Sequence, residues 1–188
     1  MCTLLNTDKY AYLAGLKWFT MKPEELTIIK EDRKKFYSYE SNWEHTFFDE
    51  KTGGYLVTEL QRKYKPMTKN DEESFLKEQR MGMKYASFGF QIEHINELPG
   101  VSSPDAYIRR HGNGAIVVNG QLADFKSTKS ANNIVKYAKY AIRNQGAELV
   151  MFEFTDHPKG ITDRIKSLTH KEIHGYYYYS DQNEFEAF

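Results

Sequence analysis

The chain has 188 residues, a formal net charge of zero, 40% apolar and 28% charged residues, and one cysteine. That length supports one domain, or one domain with an appendage, around a self-sufficient core. A lone Cys2 excludes an intrachain disulfide, gives no sign of a cysteine-rich zinc site and fits folding in a reducing compartment, with the cytoplasm as the expected site of action; no signal-peptide pattern and no apolar run of the ~18 residues a membrane helix needs is visible.

In chain order, Asp8 to Phe19 can form a short helix, and Lys22-Pro-Glu-Glu starts another with proline in its first turn. Residues 30–40, charged and then tyrosine-rich, are expected to be exposed. Trp43 to Phe48 and Tyr55 to Leu60 are β-prone segments joined by Lys51-Thr-Gly-Gly54, a hairpin. The polar stretch after Pro66 suggests a boundary. Residues 1–65 are then an N-terminal α+β appendage and 66–188 the main domain, so a chain starting at Met67 is expected to fold.

Residues 70–88 have helical periodicity, with Asn70 and Glu73 at capping-box spacing, an apolar face of Phe75, Leu76, Gly82, Met83 and Ala86, and Gly89 as terminator. Glu78 borders that face, where an acid needs a partner or a task. Phe90 to Ile95 alternates as a strand. Ser102-Ser-Pro-Asp105 leads into a short strand, and Arg109-Arg-His-Gly-Asn-Gly114 is predicted as a loop. Asn119-Gly120 predicts a tight hairpin that pairs Val117 with Leu122 and Ala115 with Asp124. Alternation places Asp124 and Lys126 on one face and Phe125 on the other.

Ser130 can cap a helix over Ala131 to Gln145, with Ile134, Val135, Ala138, Ala141 and Ile142 as its buried stripe. Glu148 to Phe154 is an apolar strand, 160–170 a last helix, and Ile173 to Tyr179 a last strand. From residue 70 the order is that of an α/β protein.

Zero net charge hides an uneven distribution. No acid occurs between Lys126 and Glu148, while Lys129, Lys136, Lys139 and Arg143 do. The last three share one helix face, suited to phosphates. Arg109 and Arg110 are further candidates for nucleic-acid contact.

Asp105, Asp124 and Lys126 are the candidate catalytic set. A hard divalent cation, Mg²⁺ or Mn²⁺, takes carboxylate oxygens and keeps several waters. A cation held by two carboxylates with a lysine beside it can stabilise charge on a phosphodiester and activate a nucleophile at neutral pH. D-x-K is a common string, present also at Asp32-Arg-Lys34 and Asp49-Glu-Lys51, but only Asp124 follows a Pro-Asp pair, at 104–105. The bland alternative is a turn plus a surface ion pair. His111 and His157 would serve a metal-free ribonuclease, and His170 with His174 is a weak metal pair, since Gly175 ends any helix there.

Helix with glutamate, strand, PD, hairpin, DxK, helix and strand is the plan of the PD-(D/E)xK restriction-endonuclease-like nucleases, which the chain resembles. Within them, KEQRMGMKYASFGFQIEHINELPGVSSPDAYI and ADFKSTKSANNIVKYAKYAIRNQGAELVMFEF look like the C-terminal tRNA-nuclease domains of contact-dependent growth-inhibition toxins, modules also found as tails of phage and mobile-element proteins. The resemblance covers about 70–180. It implies an αβββαβ core with a central mixed sheet flanked by helices. Asp105, Asp124 and Lys126 match the core motif, with Glu78 as the helix acid and a third metal ligand. It further implies a metal-dependent endonuclease acting on RNA more than DNA, and a cognate immunity protein as partner. The alternative is an inactive nucleic-acid- or protein-binding domain of a larger phage or mobile-element protein.

Overall fold

The computed structural model describes residues 23–64, 68–96, 102–112 and 115–188. The possible helix at 8–19 lies outside them. The described elements are α1 (Pro23–Tyr37), β1 (Trp43–Phe48), β2 (Tyr55–Glu59), α2 (Leu60–Tyr64), α3 (Lys69–Ser87), β3 (Phe90–His94), β4 (Ala106–Gly112), β5 (Ala115–Thr128), α4 (Ala131–Asn144), β6 (Leu149–Phe154), α5 (Ile161–Thr169), β7 (Gly175–Tyr179) and β8 (Glu186–Ala187). The strands form one eight-stranded sheet in chain order. Its pairings are antiparallel except β2/β3, β5/β6 and β6/β7, which are parallel. The α/β class with a mixed sheet flanked by helices is as expected.

The N-terminal hairpin is part of that sheet. Tyr55 to Thr58 pair with Gln91 to His94, so the suggested boundary at 66 falls between neighbouring strands of one sheet. Residues 30–40 are not uniformly exposed either. α1 continues to Tyr37 and buries Ile29, Asp32 and Phe36, and Phe36 packs with Tyr55 and Val57.

The sheet separates two larger cores. Under α3, Met81 and Tyr85 meet Phe90, Ile92, Ala123, Phe125, Met151 and Tyr178. On the other core, Ile134, Ala138 and Ala141 of α4 and Ile165 and Leu168 of α5 pack on Val150, Phe152 and Phe154. The stripe of α4 is the one periodicity indicates. That of α3 is shifted: Met81, Gly82, Tyr85 and Ala86 are buried while Leu76 is exposed, because the first half of this helix extends past the core.

Local chemistry differs from expectation at three points. Thr68, not Asn70, caps α3, in a reciprocal capping box with Asp71; threonine with an acid three residues on satisfies two backbone donors. Ser130 occupies the N-cap of α4 without a side-chain bond, and Thr128 Oγ1 accepts the Ser130 N–H instead (3.0 Å). Asn119-Gly120 is not a turn. β5 runs through it, and residues 109–112, expected as a loop, are the second half of β4. Arg110 pairs with Val118 and Ala106 with Ala123, replacing the predicted pairing, and the register shifts between Ile108 and Arg109.

Gly120 supplies the positive φ of that irregularity (+68°), and a Cβ there would lie 2.3 Å from Tyr107 Oη. The Asn-Gly signal for positive φ is therefore used by a bulge. Gly120→Ala is expected to cost about 1–3 kcal/mol through backbone strain and overpacking, measured by urea denaturation. A neutral result would mean Tyr107 swings away freely.

Candidate active site

The long β4–β5 hairpin brings the two aspartates together. The Asp105 N–H donates to Ala123 O (3.0 Å), and the Ile95 N–H donates to Asp105 O (3.1 Å). Asp105 therefore sits at the start of β4, across from Asp124 on β5, and both are buried. Ala123 and Phe125 point into the core under α3, so Asp124 and Lys126 take the alternate face, as strand periodicity predicts. The Lys126 ammonium is in ion-pair contact with Asp124 Oδ2.

Two cations and one backbone donor organise these acids. Asp105 Oδ2 accepts the Phe125 N–H (2.7 Å), and its Oδ1 accepts Arg62 Nη2 at 3.4 Å. The same Nη2 donates to Glu78 Oε2 at 2.5 Å, while Nη1 donates to Ile95 O at 2.7 Å. Arg62 comes from α2, directly after β2, and is 4% exposed. The buried His94 ring lies parallel to Phe75, its Nε2 3.7 Å from Glu78 Oε2.

Electrostatics single out Asp124. Burial pushes its carboxyl up to about 8, the Asp105 charge adds to this, and Lys126 opposes it. Asp105 is also raised, first by burial and then by Glu78, against the pull of Arg62, Lys126 and the Phe125 N–H. The close carboxyls titrate as a pair.

Two buried acids side by side fit a divalent cation on one specific observation. Among the described residues the Lys126 ammonium contacts Oδ2 of Asp124 while Oδ1 meets no hydrogen-bond donor, and with Asp105 beside it this is a costly arrangement for a buried carboxylate unless a further cation or a proton satisfies it. Asp105 and Asp124 would hold such an ion. Glu78 is brought next to Asp105 but across Arg62, whose Nη2 bonds both carboxylates, and among the described residues no three His, Cys, Asp or Glu side chains converge as a metal-binding group.

The expected phosphate contacts divide. Lys129, Lys136 and Arg143 are exposed and Lys139 half-buried. None of the four enters an ion pair seen among the described residues. The C-terminal end of α4 is tied to the segment leading into Asp105: Gln145 Nε2 donates to Ser103 O (3.3 Å), and the Tyr140 and Ser102 hydroxyls lie 3.4 Å apart. Lys139 and Arg143 line a cleft of about 390 Å³ with Ile142, Lys171, Glu172 and Ile173. By contrast, Arg109 pairs with Glu93 (2.8 Å) and lies over Tyr107. Arg110 lies against the rings of Phe90 and Phe185. Both are engaged inside the protein, because 109–112 form a strand and not a loop.

Sequence reasoning missed Arg62, which no local pattern distinguishes in LQRKY. It also missed a second buried polar group. Glu153 on β6 is fully buried, receives both guanidinium nitrogens of Arg80, and accepts from Ser127 Oγ (2.9 Å) and Tyr178 Oη (3.1 Å). The signal available was one acid inside the apolar strand LVMFEF. Its role is to fasten β6 to α3 beside the strand that carries Lys126. Of the histidines, His157 pairs with Asp181 at an exposed position (3.0 Å), and His111 lies 3.6 Å from Asp32 under α1.

No protein-family model matches the sequence, and no curated protein matches it. Among solved structures, the chain is similar to a chain of the CdiA-CT/CdiI toxin and immunity complex from Burkholderia pseudomallei. Identity is 16%, the match covers 71% of this chain and 97% of that chain, and the TM-score is 0.50. The likeness is one of fold. Among the described residues no helix is long and apolar enough to cross a membrane.

Proposed function

We propose that the chain is the nuclease domain of a toxin, cleaving phosphodiester bonds of RNA with the help of a divalent cation. The observation that carries this is the buried Asp105–Asp124 pair with Lys126 on the same strand face, on a toxin-like fold. The two acids repel one another, and among the described residues Oδ1 of the buried Asp124 has no hydrogen-bond donor. Such an arrangement lowers stability and persists where the site has a task.

Asp105 and Asp124 hold the ion, Mg²⁺ or Mn²⁺. Bound there, the cation would polarise the scissile phosphate and ease deprotonation of the attacking hydroxyl. Lys126, one fifth exposed in its side chain, reaches from the aspartates toward solvent. It neutralises charge on the phosphate and orients the attacking oxygen. The cations of α4 hold the flanking backbone, and they lie along the helix whose end is bonded to the Asp105 segment. They position substrate without reading bases. A toxin of this kind requires an immunity protein in the cell that makes it, and this basic approach to the site is the surface such a partner would cover. The place of action is the cytoplasm of the target cell.

Total tRNA and duplex DNA incubated with the chain in Mg²⁺ or in EDTA test the function. Cleavage of RNA that stops in EDTA is expected. Cleavage that survives EDTA would transfer the chemistry to the histidines, and no cleavage of either nucleic acid would leave an inactive binding domain. For the phosphate-binding helix, Lys139→Ala should weaken binding about equally across sequences. It should also flatten the dependence of log K on log salt by about 0.7 for a single strand and about 0.9 for a duplex. Unchanged affinity and slope would make the α4 face merely solvated.

A further inference from the structure

The oxygens around Asp105 fall into two sets. Glu78 Oε2 and Asp105 Oδ1 are both held by one guanidinium, that of Arg62. Asp124 lies on the other side: among the described residues its Oδ2 meets the Lys126 ammonium, and its Oδ1 meets no hydrogen-bond donor. Arg62 is fixed by a further bond to Ile95 O (2.7 Å). An arginine keeps its charge when buried, and moving this one away would take a cation from the buried Asp105 and the partly buried Glu78. A divalent ion bound by Glu78 and Asp105 together would have to sit against that guanidinium and be repelled by it.

We propose that Arg62 is the resident cation of the site: it engages Glu78 as its own partner, keeps Glu78 out of the metal shell, and holds Asp105 so that the metal binds between Asp105 and Asp124 alone. This rests on the metal-nuclease reading above and changes it in two respects. The site has two protein ligands, not three. Its charge count also changes: three carboxylates against Arg62, Lys126 and a dication leave one positive charge in excess. One phosphodiester supplies the matching negative charge. The ion is therefore held weakly by the free protein and firmly once substrate is present. Arg62 is a positioning residue, and it makes the segment before residue 66 part of the site.

The test is calorimetric titration of Mn²⁺ into the full chain and its Glu78→Gln, Asp105→Asn, Arg62→Lys and Arg62→Met variants, with thermal midpoints measured in EDTA. Asp105→Asn should abolish Mn²⁺ binding, while Glu78→Gln should leave the affinity within about threefold, less than the tenfold that 1.4 kcal/mol represents. Arg62→Met should lower the metal-free midpoint and tighten Mn²⁺ binding by about tenfold or more, since a repelling charge is removed, whereas Arg62→Lys, which keeps that charge, should leave the affinity near wild type. Glu78→Gln as damaging as Asp105→Asn makes Glu78 a ligand and overturns the assignment. So does Arg62→Met with affinity unchanged or weaker. If Arg62→Met does not fold, Glu78→Gln decides. A wild-type chain that binds no Mn²⁺ removes the metal reading itself, and the Arg62 assignment with it; the other failures remove only the latter.

Discussion

Asp124→Asn is expected to abolish cleavage and, at the same time, to stabilise the metal-free protein in a pH-dependent way. On the proposed metal site, loss of a ligand and its charge would remove several kcal/mol of transition-state stabilisation, about three orders of magnitude in rate. The stability change has a definite sign. The carboxyl of Asp124 is raised from its ordinary 3.8 to about 8 in the folded chain, so the folded state binds the proton more tightly than the unfolded state. Wild-type stability therefore falls as pH rises from about 4 toward 8, by at most about 1.4 kcal/mol per pH unit. The loss levels off above that range. Asparagine resembles the protonated acid and does not ionise. Its advantage should be near zero at pH 4 and a few kcal/mol at pH 8, read from urea denaturation in EDTA at several pH values. The titration is shared with Asp105, so the transition reports the pair. A gain independent of pH, or a destabilised variant at pH 8, would show that Asp124 is not the strained acid of the site. Saturating Mn²⁺ should shrink the advantage, because the ion stabilises only the wild type.

The second large effect is expected at Arg80. Its guanidinium spans from α3 to Glu153, whose carboxylate is buried and, among the described residues, has Ser127 and Tyr178 as further donors. Breaking a buried pair from one side leaves a charge without its counter-ion and costs 3–5 kcal/mol in general. Arg80 is half exposed, so water partly replaces it in the variant, and about 2–3 kcal/mol is the expected loss for Arg80→Ala. Adding Glu153→Gln to Arg80→Ala should recover part of that loss, because a neutral amide is cheaper to bury than an unpaired carboxylate. Urea denaturation of the two single variants and the double variant measures the coupling. Additive losses would mean that Glu153 is held by its hydroxyl partners and that Arg80 acts alone.

What the sequence determined by itself is what repeats within a few residues of it. The 3.6-residue spacing of Ile134, Ala138 and Ala141 defined the buried side of α4. The alternation along Ala123 to Lys126 put Asp124 and Lys126 on one face, and the break at Gly89, with its positive φ, ended α3 before β3. The acid-free run after Lys126 marked α4 as basic. Tertiary structure decided the rest, because it depends on pairings between distant segments that no local periodicity records. Whether Asn119-Gly120 turns or bulges depends on the register in which β4 pairs with β5. Whether Arg109 faces a phosphate or Glu93 depends on how far β4 extends before the chain reverses. The membership of β1 and β2 in the sheet depends on β2 lying parallel to β3 across the whole of α3, a contact between segments separated by more than thirty residues. The same pairing carries Arg62 to Glu78 and Asp105. A buried charge takes its meaning from the charges around it, and these come from α2, α3 and β4, so the site's cation became visible only when the fold brought the three together.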